Sequence, residues 1–255
     1  MKRFIRIFIQ AAKQKPEKLL QYFMLVFLFG LAIFLPLYGM RHQVRESSSD
    51  SVSEENQTEY MECKETIVID AGHGGFDSGM VGESGVTEKE LNLIYAKKLE
   101  KLLCAAGYRV VQTRSSEAGL YDENHDNKKA QDMQRRCAVI EQEQPFVTIS
   151  IHQNSYPQDQ AVCGPQVFYY EQSKEGEKLA ERIQEKLNQM PKVMRQRTQK
   201  GNSTYYILKR SASTTVIVEC GFLTNKQEEE LLQNEAYQDD VVQAIYEGIV
   251  EYRND

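Results

Sequence analysis

Three stretches of the chain share one pattern: an apolar, β-branched run ends on a polar group and then breaks. Ile67–Asp70 runs into Ala71, Gly72, His73, Gly74 and Gly75; Phe146–Ile151 ends on His152 before Gln153, Asn154 and Ser155; Thr215–Val218 ends on Glu219 before Cys220, Gly221 and Phe222. Short apolar runs bounded in this way predict buried strands. Glycines on both sides of His73 remove Cβ atoms, so the chain can turn sharply there and let an ion or substrate reach the ring.

Between these strands the apolar period lengthens to that of helices. Glu88–Ala106 places Leu91, Ile94, Leu99, Leu102 and Leu103 on one stripe, with Gly107 as the stop. Tyr108–Arg114 reads as the next strand, Glu117–Asn127 as a polar loop over one side of the strand ends, and Lys128–Gln142 as a second helix leading through Pro145 into the His152 strand. Farther on come an edge strand at Gln166–Tyr170, a charged amphipathic helix at Lys174–Met190, a basic stretch at Pro191–Asn202 and a short strand from Tyr205 to Leu208. Two helices, near Gln227–Leu232 and Tyr237–Tyr252, follow the Glu219 strand. Strands alternating with helices predict a single α/β domain, its sheet twisted and mostly parallel, with helices on both faces.

The front of the chain breaks this pattern. Lys2, Arg3, Arg6, Lys13, Lys15 and Lys18 against Glu17 give residues 1–18 a net charge of +5, and Leu19–Met40 then carries no charge at all. A bilayer is crossed by about 20 apolar residues, and no small-residue cleavage site follows, so 19–40 reads as an uncleaved transmembrane signal-anchor. The basic tail stays in the cytoplasm and the rest is exported. Residues 41–62, rich in Ser and Glu and without an apolar period, read as a flexible linker, and the domain proper spans 63–255. The protein is thus expected in the cell membrane, single-pass, with its domain outside the cytoplasm.

Composition narrows the picture further. With 41% of 255 residues hydrophobic and 27% charged, the chain supports one domain with a sizeable core plus its appendage. Removing the +5 tail from a net charge of −6 leaves −11 on the remainder, which excludes nucleic acid as a partner. Five cysteines without CxxC spacing indicate neither a disulfide framework nor a cysteine zinc site. Cys104 is expected as a small core hydrophobe. Cys220, beside Glu219, either packs or faces the site.

In α/β domains functional groups collect where parallel strands end. His73, His152 and Glu219 are therefore expected to converge with Glu88, which opens the helix after the glycine loop. Two histidines and a carboxylate make the three-ligand zinc set that keeps a position for water, and a second carboxylate makes a proton acceptor. Asp70 and Asn154 either orient a ligand imidazole by accepting its other N–H or shape the turns. In the basic stretch, Arg195, Arg197 and Lys200 either face solvent or contact anionic groups of a substrate. His125, in a polar loop, and His42, just past the apolar run, are set aside.

The segments IDAGHGGFDSGMVG, GVTEKELNL, SIHQNS and VIVECGFLTN, in that order, resemble the zinc-dependent N-acetylmuramoyl-L-alanine amidases of the amidase-3 type, over nearly the whole of 63–255. The resemblance implies one Zn2+ held by His73, Glu88 and His152, with Glu219 as the catalytic carboxylate. It also implies hydrolysis of the amide between the lactyl group of N-acetylmuramic acid and L-alanine in peptidoglycan. Within the family, the anchor, the absence of wall-binding repeats and the FYY strand resemble the germination-specific, CwlD-like group, which acts in muramic-lactam formation in the spore cortex. Whether an activator protein is a partner stays open, as does the forespore membrane as the location. Ala71, where relatives often carry proline, and Gln153 are departures that leave the four site residues untouched. A vegetative wall amidase and a non-catalytic peptidoglycan-binding regulator stay open as alternatives, the second disfavoured by the intact quartet.

Overall fold

A computed structural model describes residues 64–255; the tail, the apolar run 19–40, the linker and Cys63 lie outside the described residues. Among the described residues no helix is long and apolar enough to cross a membrane. The elements run β1 (Lys64–Ala71), α1 (Glu88–Ala105), β2 (Tyr108–Gln112), α2 (Lys128–Glu143), β3 (Val147–Asn154), β4 (Gln166–Tyr170), α3 (Lys174–Gln189), β5 (Lys200–Asn202), α4 (Tyr206–Arg210), β6 (Thr214–Phe222), α5 (Lys226–Leu232) and α6 (Glu235–Asn254).

Local chemistry sets the helix starts. At α1 the Glu90 carboxylate accepts both the Thr87 amide (3.0 Å) and its hydroxyl (2.7 Å), which fixes the entry one turn ahead of the apolar stripe. Asn127, Ser173 and Asn234 each accept a first-turn amide at α2, α3 and α6. The α2 helix stops at Gln144 in the left-handed region (φ 43°), just before Pro145.

The sheet has six strands in the order β2-β1-β3-β6-β4-β5. Its β1–β2, β1–β3, β3–β6 and β4–β5 pairings are parallel, whereas β4 runs antiparallel to β6. The sheet is therefore mixed, with β4 and β5 reversed against the expected common direction. A parallel return takes a crossover of a dozen or more residues, usually a helix. Residues 155–165 contain none, so the chain simply turns back after β3.

Side chains alternate across the sheet. Ile67, Ile69 and Ala71, Val147, Ile149 and Ile151, and Val216, Val218 and Cys220 all enter one large core with α1, α3, α5 and α6. The opposite face carries Val68 and Ile217 with Ile140 of α2 and Ile207 and Leu208 of α4 in a smaller cluster. Helices do cover both faces, but unequally.

Three details differ from the sequence reading. Tyr205–Leu208 is not a strand: Tyr206–Arg210 closes the short helix α4, whose Ile207 and Leu208 are both buried against the sheet. On α1 the buried stripe is Leu91, Tyr95, Leu99 and Leu103, spaced by four; Ile94 lies off it and is 41% exposed, and Cys104 faces solvent. Lys200–Asn202 of the basic stretch forms the edge strand β5, which moves β4 one place inward.

Candidate active site

The same alternation places the polar side chains of three strands on one face. Asp70, Ser150, His152 and Glu219 sit out of phase with the large core, and the β3–β6 register sets His152 directly beside Glu219. The loop after β1 returns His73 to this face, and Glu88 at the start of α1 points between the two imidazoles. Glu88 Oε1 lies 3.1 Å from His73 Nε2 and 2.9 Å from His152 Nδ1, and the two rings meet edge to face at 5.1 Å. One nitrogen or oxygen from each of the three lies within 4.8 Å of the others. Glu88 is further fixed by the amides of Gln153 (3.2 Å, to Oε1) and Met80 (2.9 Å, to Oε2).

This geometry needs glycine at two positions. A Cβ at Gly72 would come within 2.2–2.7 Å of three His152 ring atoms, and one at Gly79 (φ 64°) would meet the Glu88 side chain and, at 2.8 Å, His73 Cδ2. His73 itself is held in the left-handed region (φ 62°), which non-glycine residues seldom occupy without support from their surroundings.

That support comes from two arginines invisible to the sequence reading. Arg136 of α2 donates to the Ala71 carbonyl (2.7 Å), the His73 carbonyl (2.5 Å), Asp70 (2.7 Å) and Asp132 (2.5 Å). Arg114, just past β2, donates to the carbonyls of Ala71, Gly72 and Lys89 at 2.8–2.9 Å. Between them they bind three successive carbonyls of the loop that carries His73. Charged residues in a polar helix and at a strand end read as solvated, so only their burial reveals them.

Asp70 is therefore an anchor for Arg136 and not the partner of a ligand ring. It also accepts the hydroxyls of Thr113 (2.6 Å) and Ser150 (2.7 Å). Burial pushes its carboxyl upward, but Arg136 and the two hydroxyls outweigh this and hold its pKa at about 2. The carboxylate at His73 Nδ1 is Asp77, 3.1 Å away, a residue the sequence reading passed over. Burial lowers the His73 pKa, but Asp77 and Glu88 more than offset it, to about 9. Asn154 accepts the Ser155 amide through its side chain and the Leu223 amide through its carbonyl, a turn role at the end of β3. Cys220 packs into the core on the face away from Glu219. Arg197 stacks on Phe222 (4.9 Å) and donates to the Cys163 carbonyl, so it braces the β6 end.

Glu219 is the odd member of the group. Its carboxylate is buried, and its Oε2 has no hydrogen-bond partner. Burial drives its pKa up to about 7; His152 and His73 pull down and Glu88 pushes up. A cavity of about 490 Å³ opens over Glu219, His73, Glu88 and His152. The predicted quartet thus shares one pocket.

The N-acetylmuramoyl-L-alanine amidase family model matches residues 67–251. The chain belongs to this family. It is 35% identical over 191 residues to the germination-specific N-acetylmuramoyl-L-alanine amidase of Bacillus subtilis, covering 73% of this chain and 78% of that one. The amidase LytC of the same organism is 34% identical over 200 residues, which is 77% of this chain but only 37% of LytC. Among solved structures, the CwlD amidase of Clostridioides difficile, determined in complex with the GerS lipoprotein, superposes with a TM-score of 0.71 at 33% identity, covering 74% of this chain and 98% of that one. In this amidase fold the donor set suits a metal. Two imidazoles and a carboxylate are a nitrogen–oxygen set that zinc accepts, and tetrahedral zinc with bonds of about 2.0–2.1 Å wants its donors somewhat over 3 Å apart. The 2.9 and 3.1 Å separations need little adjustment to meet that.

Proposed function

We propose that this amidase cleaves the bond between the lactyl carbonyl of N-acetylmuramic acid and L-alanine in peptidoglycan, as a zinc enzyme of the spore cortex. The observation that carries the reading is a buried carboxylate, Glu219, with one oxygen unmatched, beside a cluster of two histidines and a glutamate in one open cavity. His73, Glu88 and His152 would hold the ion; bound there, zinc supplies Lewis acidity and offsets negative charge growing on the amide oxygen.

Glu219 then has a defined task. Burial raises its proton affinity above that of an ordinary carboxylate, which suits it to take a proton from the attacking water and return it to the alanyl nitrogen, which leaves poorly without it. Asp77 orients His73 through Nδ1 and leaves Nε2 toward Glu88. The cortex assignment is supported by the likeness to the germination-specific relative and to the CwlD structure. By the same likeness we propose a lipoprotein activator as partner. Tethering to the membrane by residues 19–40, with the catalytic domain outside the cytoplasm, is proposed from the uncharged run alone.

The test is digestion of purified cortex and vegetative peptidoglycan by the full-length protein, with and without chelator, read by mass spectrometry of the products. Free peptides beginning with L-alanine, lost on chelation and regained with zinc, are the expected result. Products cut only between sugars, or activity indifferent to chelator, would overturn the reading.

A further inference from the structure

Three exposed aromatic rings line the catalytic cavity: Phe76 is 58% exposed, Tyr206 42% and Tyr205 38%. Clustered apolar exposure of this kind marks a surface that something covers. Two of the rings are fixed before any ligand arrives, Phe76 edge to face with Tyr121 at 5.1 Å and Tyr205 with Phe168 at 5.6 Å. At Tyr206 the surface dips again. A second depression of about 340 Å³ shares Lys129, Met133 and Tyr206 with the cavity and is completed by Asn127, Ala130 and Gln134.

The charge of that depression identifies its occupant. Its one charged lining residue, Lys129, is paired with Asp77 at 3.2 Å. What remains is neutral and largely apolar, with amide groups among the lining. A stem peptide carries carboxylates, which would find no unpaired cation there. A pyranose offers an uncharged C–H face to an aromatic ring and an N-acetyl group to side-chain amides.

We propose that this depression is a glycan subsite: Tyr206, with Met133, receives the N-acetylated sugar adjoining the muramoyl unit whose amide lies at Glu219. The assignment rests on the amidase reading and adds to it that the enzyme recognises the strand and not one muramoyl peptide alone. Tyr206 opens α4 with its ring half in solvent, so its replacement leaves the core intact.

The test is calorimetric titration of the full-length protein with chitotetraose, a neutral N-acetylglucosamine oligomer that carries no peptide. Tyr206→Ala should weaken binding at least about fivefold, the scale of one lost ring contact, and a free L-alanine-terminated stem peptide should not compete. Met133→Glu, which places charge in the depression, should weaken binding likewise. No chitotetraose binding, equal binding in the wild type and Tyr206→Ala, or displacement by the stem peptide would overturn the subsite. Peptide release from whole peptidoglycan is scored separately. Tyr206-dependent binding without release would sink the amidase reading and keep the subsite; release with Tyr206-independent binding would sink the subsite alone.

Discussion

The two faces of the sheet divide stability from chemistry. On one, β1, β3 and β6 present an unbroken apolar surface to α1, α3, α5 and α6. On the other, the same strands present Asp70, Ser150, His152 and Glu219, with only α2 and α4 packed against them. The apolar face needs no specific partner for any one side chain, since burial alone stabilises it. The polar face is held by directed interactions, chiefly Asp70–Arg136–Asp132, and leaves one group, Glu219, with a carboxylate oxygen unmatched. An unpaired buried carboxylate destabilises the fold, so it persists where a reaction uses it.

The sharpest break between the faces is expected at Glu219. Glu219→Gln should lower amide hydrolysis by about 10²–10⁴-fold while the melting temperature holds or rises, because a buried carboxylate with an unmatched oxygen is removed. Near-normal turnover would take Glu219 out of the mechanism. His152→Ala should leave the protein folded with well under one equivalent of zinc by elemental analysis; a full equivalent would end its assignment as a ligand.

Asp70→Asn and Ile149→Ala then compare the faces by stability. The first strips Arg136 of a buried counter-charge and should cost about 3 kcal/mol in denaturant unfolding, together with zinc affinity, because Arg136 also holds the His73 carbonyl. The second should cost a similar amount, about 2–5 kcal/mol, with zinc affinity unchanged. Equal effects on zinc would erase the distinction. The smallest expected effect is a pH dependence. The Asp70 pKa is about 2 in the fold against 3.8 in the unfolded chain. Its contribution, on the order of 2 kcal/mol, is full above about pH 4 and fades as pH falls through the folded value. Unfolding titrations from pH 5 to 2 should show this slope in the wild type and not in Asp70→Asn.

How legible each face was follows from the same physics. The three buried strands, the helix starts and the quartet were readable, because apolar periodicity and glycine-flanked polar residues are local signals. The reversed β4 was not, since strand direction depends on what a connection contains and 155–165 carries no pattern of its own. Nor was α4, whose few residues fit either period. Arg114, Arg136 and Asp77 were missed because a charged side chain looks the same in sequence whether it meets water or a carbonyl. Asp70 was noticed for its place near His73, yet its partners lie just past β2, on α2 and on β3, far along the chain.

Gly72 takes no part in the chemistry, yet a methyl group there would occupy the space of the His152 imidazole. Every single-base change to a glycine codon that alters the amino acid adds at least one carbon or ends translation. The position has no neutral neighbours in sequence space: a lineage that kept its four reactive groups intact would still lose the enzyme through one hydrogen atom becoming a methyl.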